Sequence, residues 1–283
     1  MANIIAAIDF SDCSVNALEH AISIALRGTL DVHMVWVNNP AITKMTIYSE
    51  SSSGLIDEIK KQFAALVDKF QPLLPDSTID YVIREGKVYR EIIEEAKEWE
   101  SLCIVMGTHG VSGFEQFWIG SNANKLISAA QCPVITLRAG ISAKDEIRKI
   151  VMPVDSTLDT RQKVPFTAYL ARLFEAEVYV IAIYASKLKA IQKRVDDYTD
   201  QVCEYLEEEG IGYYRETLIC DNVTTATINY TKKVRGALIS IMTEQETSPY
   251  NLLIGPYAQQ MVNNSPYPVL SINPFETMQV SSR

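Results

Sequence analysis

The sequence predicts two doubly wound α/β domains in tandem, and three observations carry that prediction. First, the chain repeats itself. Asn3-Ile4-Ile5-Ala6-Ala7-Ile8-Asp9-Phe10-Ser11 returns as Lys149-Ile150-Val151-Met152-Pro153-Val154-Asp155-Ser156-Thr157, and Cys132-Pro133-Val134-Ile135-Thr136-Leu137 returns as Tyr267-Pro268-Val269-Leu270-Ser271-Ile272. Second, short β-branched runs alternate with amphipathic stretches, the pattern of strands joined by crossover helices. Third, 283 residues suit two domains of about 140 better than one. The second copy is the shorter, most of the loss falls in its middle, and a polar linker from Ala139 to Glu146 separates the two.

Within the first copy, Asn3–Asp9 is an apolar run ending in an acid and reads as a buried strand. Ser14 to Arg27 carries Val15, Leu18, Ala21, Ile22 and Ala25 at helical spacing. Asp31–Val37 is the second strand, Thr43 to Gly54 a Ser-rich loop, and Leu55 to Phe70 an amphipathic helix. Ile79–Arg84 is the third strand, and Val88, Ile92, Ile93, Ala96 and Trp99 mark the next helix face. Leu102–Met106 is the fourth strand, Ser121–Ala130 a helix and Val134–Leu137 the last strand. Strands so separated need right-handed crossovers, which give a parallel sheet covered on both faces.

Composition narrows the function. Hydrophobic residues make up 47% and charged residues 22%, which speaks against wholesale disorder and a coiled-coil rod. No apolar run approaches the ~20 residues that span a bilayer. The start, MANIIAAIDFSD, lacks a basic region and places an acid inside its apolar stretch, so it does not read as a signal peptide and a cytoplasmic, membrane-free protein is expected. Thirty-five acids against 26 bases give a net charge of −9, unfavourable to nonspecific nucleic-acid binding. Cys13, Cys103, Cys132, Cys203 and Cys220 are widely spaced and read as reduced, mostly buried thiols. No CxxC, HExxH or His-rich cluster suggests a zinc site.

Open parallel sheets bind ligands beyond the carboxyl ends of their strands. Asp9 ends the first strand there. The fourth strand runs into Met106-Gly107-Thr108-His109-Gly110, and Gly120-Ser121-Asn122 follows directly before a helix. Glycines at 107 and 110 permit positive φ and close backbone approach. Gly120 and Ser121 open a helix whose free N–H groups attract an anion, and the Ser121 hydroxyl adds a donor. The spacing suits a phosphate site; it equally suits a turn with an N-cap. No GxxxxGK[ST] occurs, so no lysine cradles a γ-phosphate.

The pattern G-x2-G-x9-G-[ST], between a strand and a helix ending in Cys132-Pro133-Val134, closely resembles the ATP-binding members of the universal stress protein family, as does the opening Ile8-Asp9-Phe10-Ser11. The resemblance covers a domain at 1–140 with an intact motif and a degenerate one at 147–276. It implies two Rossmann-like domains of the adenine nucleotide alpha hydrolase (HUP) type, each a five-stranded parallel sheet of order 3-2-1-4-5. It implies ATP, or ADP or AMP, with Mg2+ as ligand. Carried over by position, Asp9 meets the nucleoside, Val37 contacts adenine, and Met106, Gly107, Gly110, Gly120, Ser121 and Asn122 hold the phosphates. Ala7 replaces the family's frequent proline, and Trp118 is bulkier than its usual aliphatic residue. The last strands of the two copies are expected to pair as an internal pseudo-dimer, with assembly of whole chains left open.

Setting Met106 against Met242 puts Thr243 at Gly107, Glu246 at Gly110 and Gly255-Pro256 at Gly120-Ser121, in a loop one residue shorter. A carboxylate there would repel phosphate, Thr and Glu resist positive φ, and proline removes an amide and the hydroxyl. The second copy is therefore expected to bind no nucleotide, and Asp155 to be structural. His109 reads as solvated, Lys125 and the run Glu204 to Glu209 as surface, and Tyr213-Tyr214 as core-filling at a strand start. The leading function is a nucleotide-binding stress-response sensor or regulator with an unidentified protein partner. A partner-binding adaptor with structural or no nucleotide is the alternative. A slow ATPase lacks an evident general base.

Overall fold

The computed structural model describes residues 3–39, 52–108, 120–138, 140–141, 147–243 and 255–274. The first half runs β1 (Asn3–Ala7), α1 (Asp12–Gly28), β2 (Asp31–Asn38), α2 (Ser52–Phe70), β3 (Ile79–Glu85), α3 (Val88–Glu98), β4 (Cys103–Gly107), α4 (Ser121–Ala129) and β5 (Val134–Leu137). The second runs β6 (Lys149–Val154), α5 (Val164–Phe174), β7 (Glu177–Tyr184), α6 (Lys189–Glu208), β8 (Tyr213–Ile219), α7 (Val223–Val234), β9 (Leu238–Met242), α8 (Pro256–Asn264) and β10 (Val269–Ile272). These elements fall within a few residues of the periodicity. The Ser-rich stretch expected as a loop up to Gly54 already begins α2 at Ser52.

All ten strands form one sheet of order β3-β2-β1-β4-β5-β10-β9-β6-β7-β8. Each half has order 3-2-1-4-5 and is parallel throughout, while β5 and β10 meet antiparallel in register Val134–Ser271, Ile135–Leu270 and Thr136–Val269. Burial explains the composition of the strands. Every residue of β1, β5, β9 and β10 is buried, as a sheet covered on both faces requires.

Of three core clusters, two draw on both halves, one on each face of the sheet, and the third, around Tyr179 and Tyr230, belongs to the second half alone. Of the shared two, one combines Leu18, Ile22, Phe63 and Val105 with Ile150, Ala168, Phe174 and Leu206; the other combines Ile5, Val35, Ile92 and Leu126 with Ile239, Met261 and Val269. Helix α1 starts where Ser11 Oγ accepts from the Ser14 amide at 3.2 Å. It ends at Thr29 in the left-handed region. These caps, with the strand lengths, fix where the chain emerges at the carboxyl end of the sheet.

Candidate functional site

From β1 the chain winds outward to β2 and β3, then crosses back to β4 on the other side of β1. The crevice of such a sheet opens between β1 and β4, beyond their carboxyl ends. That end holds Asp9, Gly107, Gly120 and the first turn of α4, with Val37 one residue before the end of β2.

Asp9 is half-buried and organises a turn. Its Oδ1 accepts from the Ser11 amide at 3.0 Å and from the Ser11 hydroxyl, and its own amide donates to Ser14 Oγ at 3.3 Å. Its Oδ2 has no partner among the described residues. Phe10, with φ 62°, adopts a left-handed conformation that costs a bulky residue about 1 kcal/mol or more. Its ring packs edge-on against Phe63 of α2, centroids 4.9 Å apart, which offsets that strain. Nothing in the sequence signalled this backbone outlier.

The glycines act differently from the expectation. Gly107 does not take positive φ. A Cβ there would lie 2.7 Å from Cys13 Sγ and 3.0 Å from the Cys13 carbonyl carbon. The bare backbone lets the start of α1 press onto β4, where the Cys13 thiol donates to the Leu137 carbonyl at 3.3 Å. Gly120 is the N-cap of α4 with φ −59° and ψ 146°, again not left-handed. Its amide donates to the Thr108 carbonyl at 3.0 Å, which pins together the two ends of the 109–119 segment. No side chain caps α4 and its first turn carries no acid. Ser121 and Asn122 are exposed there, and their amides belong to the helix's unpaired first turn.

Met106 is buried in the core, so it offers the site backbone alone. Val37 is half-buried and packs on the cluster that also receives Val88 and Tyr89. Lys125 is exposed, its ammonium 5.7 Å from the centre of the Tyr89 ring. Gly110, His109 and Trp118 lie outside the described residues. The five cysteines are free. Burial pushes the Cys132 thiol up to about 11, far from a reactive thiolate. Among the described residues no group of three His, Cys, Asp or Glu could hold a metal ion, and no helix is long and apolar enough to cross a membrane.

The second half repeats the turn but not the crevice. Asp155 Oδ1 accepts from the Thr157 amide at 2.8 Å and from its hydroxyl at 2.6 Å, as Asp9 does from Ser11. Strand register then corrects the sequence alignment by one residue. Ile5 pairs with Ile104 and Val151 with Ile239; Gly107 pairs with Leu137 and Met242 with Ile272. The Thr108 amide donates to Leu137 and the Thr243 amide to Ile272. Met242 therefore stands at Gly107 and Thr243 at Thr108, and the loops to Gly120 and Gly255 are equally long. By the same offset Gln245, not Glu246, answers Gly110, and both lie outside the described residues. Matching one methionine to the other caused the slip, since Met106 answers to Ile241. Glu244 and Glu246 flank Gln245 in the sequence, so carboxylates still stand beside that position. Among the described residues the halves differ here by Met242 for Gly107, Pro256 for Ser121 and Lys163 for Ala17.

Lys163 stands where the first half has Ala17, and it is fully buried. Its ammonium donates to the Thr160 carbonyl and hydroxyl. It borders a cavity of about 20 Å3 at the ends of β6 and β9, lined also by Pro153, Asp155, Thr157, Met242 and Tyr257. That volume has room for about one water. Burial lowers the amine to about 8, against the attraction of Asp155. Reading the repeat column by column, with a lysine falling on an alanine of an apolar helix face, would have exposed this residue.

Comparison with known proteins agrees with this geometry. The model of the universal stress protein family matches residues 1–138. A universal stress protein of Methanocaldococcus jannaschii is 32% identical over 133 residues, covering 46% of this chain and 78% of the relative. One from Bacillus subtilis is 25% identical over 145 residues, covering 47% of this chain and 95% of the relative. The crystal structure of a universal stress protein from Archaeoglobus fulgidus superposes with a TM-score of 0.74 at 16% identity, over 97% of both chains, and so shares the whole ten-stranded fold. On the match of its motif-bearing half to relatives covered over most of their length, the chain belongs to the universal stress protein family.

Proposed function

We propose that the first half binds one adenine nucleotide, ATP or its ADP or AMP relatives with Mg2+, and that the protein is a stress-response sensor or regulator acting on a protein partner. One observation carries the reading: α4 begins without a side-chain cap or an acid in its first turn, beside Asp9, at the switch point of the sheet. The amides of Ser121 and Asn122 and the Ser121 hydroxyl suit phosphate oxygens. The Oδ2 of Asp9 suits a ribose hydroxyl, and Val37 offers apolar surface to the base. Gly110 belongs to the same motif by its spacing in the sequence. In the second half the corresponding places hold Pro256, Met242 and buried Lys163, which leaves one site per chain. Among the described residues the start of α4 offers donors suited to an anion.

Titration calorimetry of the whole protein with ATP and Mg2+ tests this. The expected result is one nucleotide per chain, with nucleotide co-eluting from purification. Two equivalent sites, or binding confined to 147–283, would overturn it. Complete absence of binding at millimolar nucleotide would favour the adaptor reading instead.

A further inference from the structure

Away from the nucleotide crevice, the first half holds an ionisable triad, two of its members buried and Asp80 exposed, that the second half does without. His33 on β2 is almost fully buried. Its Nδ1 faces Asp80 Oδ1 on β3, and its Nε2 lies 2.8 Å from Glu95 Oε1 on α3. Arg84 on β3 bridges the other Glu95 oxygen to Glu98. Trp99 stacks on the imidazole with centroids 4.4 Å apart, and Asn3 on β1 holds the Trp99 carbonyl at 2.9 Å. Across from His33 on β1 lies Ile5, so the described charges around the ring are Asp80 and Glu95, with Arg84 and Glu98 one step further.

The repeat supplies a natural control. By strand register His33 and Asp80 answer to Tyr179 and Tyr214, and the matched bonds Ser101 to Ala96 and Gly236 to Thr231 set Glu95 against Tyr230. Those tyrosines fill the same place with rings: Tyr179 stacks on Tyr214 at 4.8 Å and lies 6.5 Å from Tyr230. The fold therefore does not require charge at this position, and buried ion pairs are a poor means of adding stability. The chemistry of the ring gives the charge a use. Both imidazole nitrogens face carboxyl oxygens, and only the doubly protonated ring donates to both; a neutral ring turns a lone pair toward one of them.

We propose that His33, Asp80 and Glu95 form a proton-operated latch, which holds α3 against β2 and β3 while His33 carries its second proton and loosens that contact when the proton leaves. The proton exchanges with solvent along Asp80, whose side chain is 55% exposed. Burial alone would lower the pKa of His33, but its bonds to Asp80 and Glu95 outweigh that and raise it above the ordinary value of 6.5. The latch is then closed on the acid side and opens as pH rises through a midpoint above 6.5. Nothing in it depends on nucleotide.

Hydrogen exchange of the whole, nucleotide-free protein, corrected for intrinsic rates, tests the latch across pH ~5 to ~9. Protection of α3 should fall as pH rises while α7, held by tyrosines, does not follow. Each unit by which the latch raises the His33 pKa corresponds to about a tenfold change in protection. In H33Y/D80Y/E95Y, which copies the second half, the difference between the helices should vanish; His33→Gln gives the same reading should the triple variant fail to fold. Parallel behaviour of α3 and α7 in the parent, persistence of the α3 response in either variant, or a His33 ring titrating below 6.5 by NMR would each overturn it.

Discussion

Where the first half places Ala17, the second places Lys163, and this one exchange alters the end of the sheet. A buried ammonium costs free energy that two bonds to Thr160 and the attraction of Asp155 offset only in part. The lowered pKa gives the sign. Between about 8 and 10.5 the unfolded chain binds more protons than the folded one, so this group makes stability rise with pH across that window and is a net cost below it. Lys163→Met should therefore stabilise the protein at pH 7 by about 1–3 kcal/mol in urea unfolding, with the gain shrinking toward pH 10.5. A destabilised variant would mean that the ammonium is better satisfied than its contacts suggest. Ser121 offers a complementary test. Pro256 already occupies the matching first helical position, where proline fits without strain. Ser121→Pro should leave the melting temperature nearly unchanged while removing one amide and one hydroxyl from the phosphates. Bonds to charged groups are worth about 1.5–3 kcal/mol, so nucleotide affinity should fall roughly tenfold or more. Unaltered affinity would remove the start of α4 from the site.

At the scale of elements, the two halves cap each other's helices. Arg138, the residue after β5, donates to the Asn263 carbonyl at the end of α8 at 2.7 Å. Asn273, the residue after β10, donates to the Ile127 and Ala130 carbonyls at the end of α4, at 2.7 and 2.8 Å. Last-turn carbonyls lack partners within their own helix, and here the other half supplies them. Asn273→Ala should cost about 1–2 kcal/mol in guanidinium unfolding, since it strands two partly buried acceptors. A loss within error would show that water replaces the amide. The strands and helices themselves were legible, because burial on both faces writes continuous apolar runs and one-sided burial writes a helical period. The placing of Asp9, Val37, Gly120 and Ser121 at the carboxyl end of the sheet was also within reach, because strand ends can be read from the sequence. The role of Gly107 was not. Spacing tells that a side chain is missing but not that Cys13 needs the room. The triad was equally hidden: His33, Asp80 and Glu95 come together only through β-pairing and helix packing. Tyr213 and Tyr214 divide for a related reason. Tyr213 packs on the core as expected, but β8 is an edge strand, so Tyr214 stays half-exposed and stacks on Tyr179.

For the whole molecule the decisive contact is the antiparallel pairing of β5 with β10. Its central pair is Ile135 with Leu270, and these two residues are equivalent in the repeat, so a pseudo-two-fold axis passes between them. Both are almost completely buried, as are all residues of the two strands. Separated from its partner, the first half would expose β5 as a bare apolar edge, an arrangement that recruits another strand. A second copy of β5 satisfies the same geometry, because an interface built on a two-fold axis accepts identical halves. The fragment 1–140 is therefore expected to fold as a homodimer, with Ile135 against Ile135 at the axis. Sedimentation should give twice the fragment mass at tens of micromolar, and Ile135→Lys should return it to a monomer by placing a charge in that dry contact. A parent fragment that sediments as a folded monomer would show instead that β5 needs β10 specifically, through contacts such as Asn273 on α4, which the first half lacks.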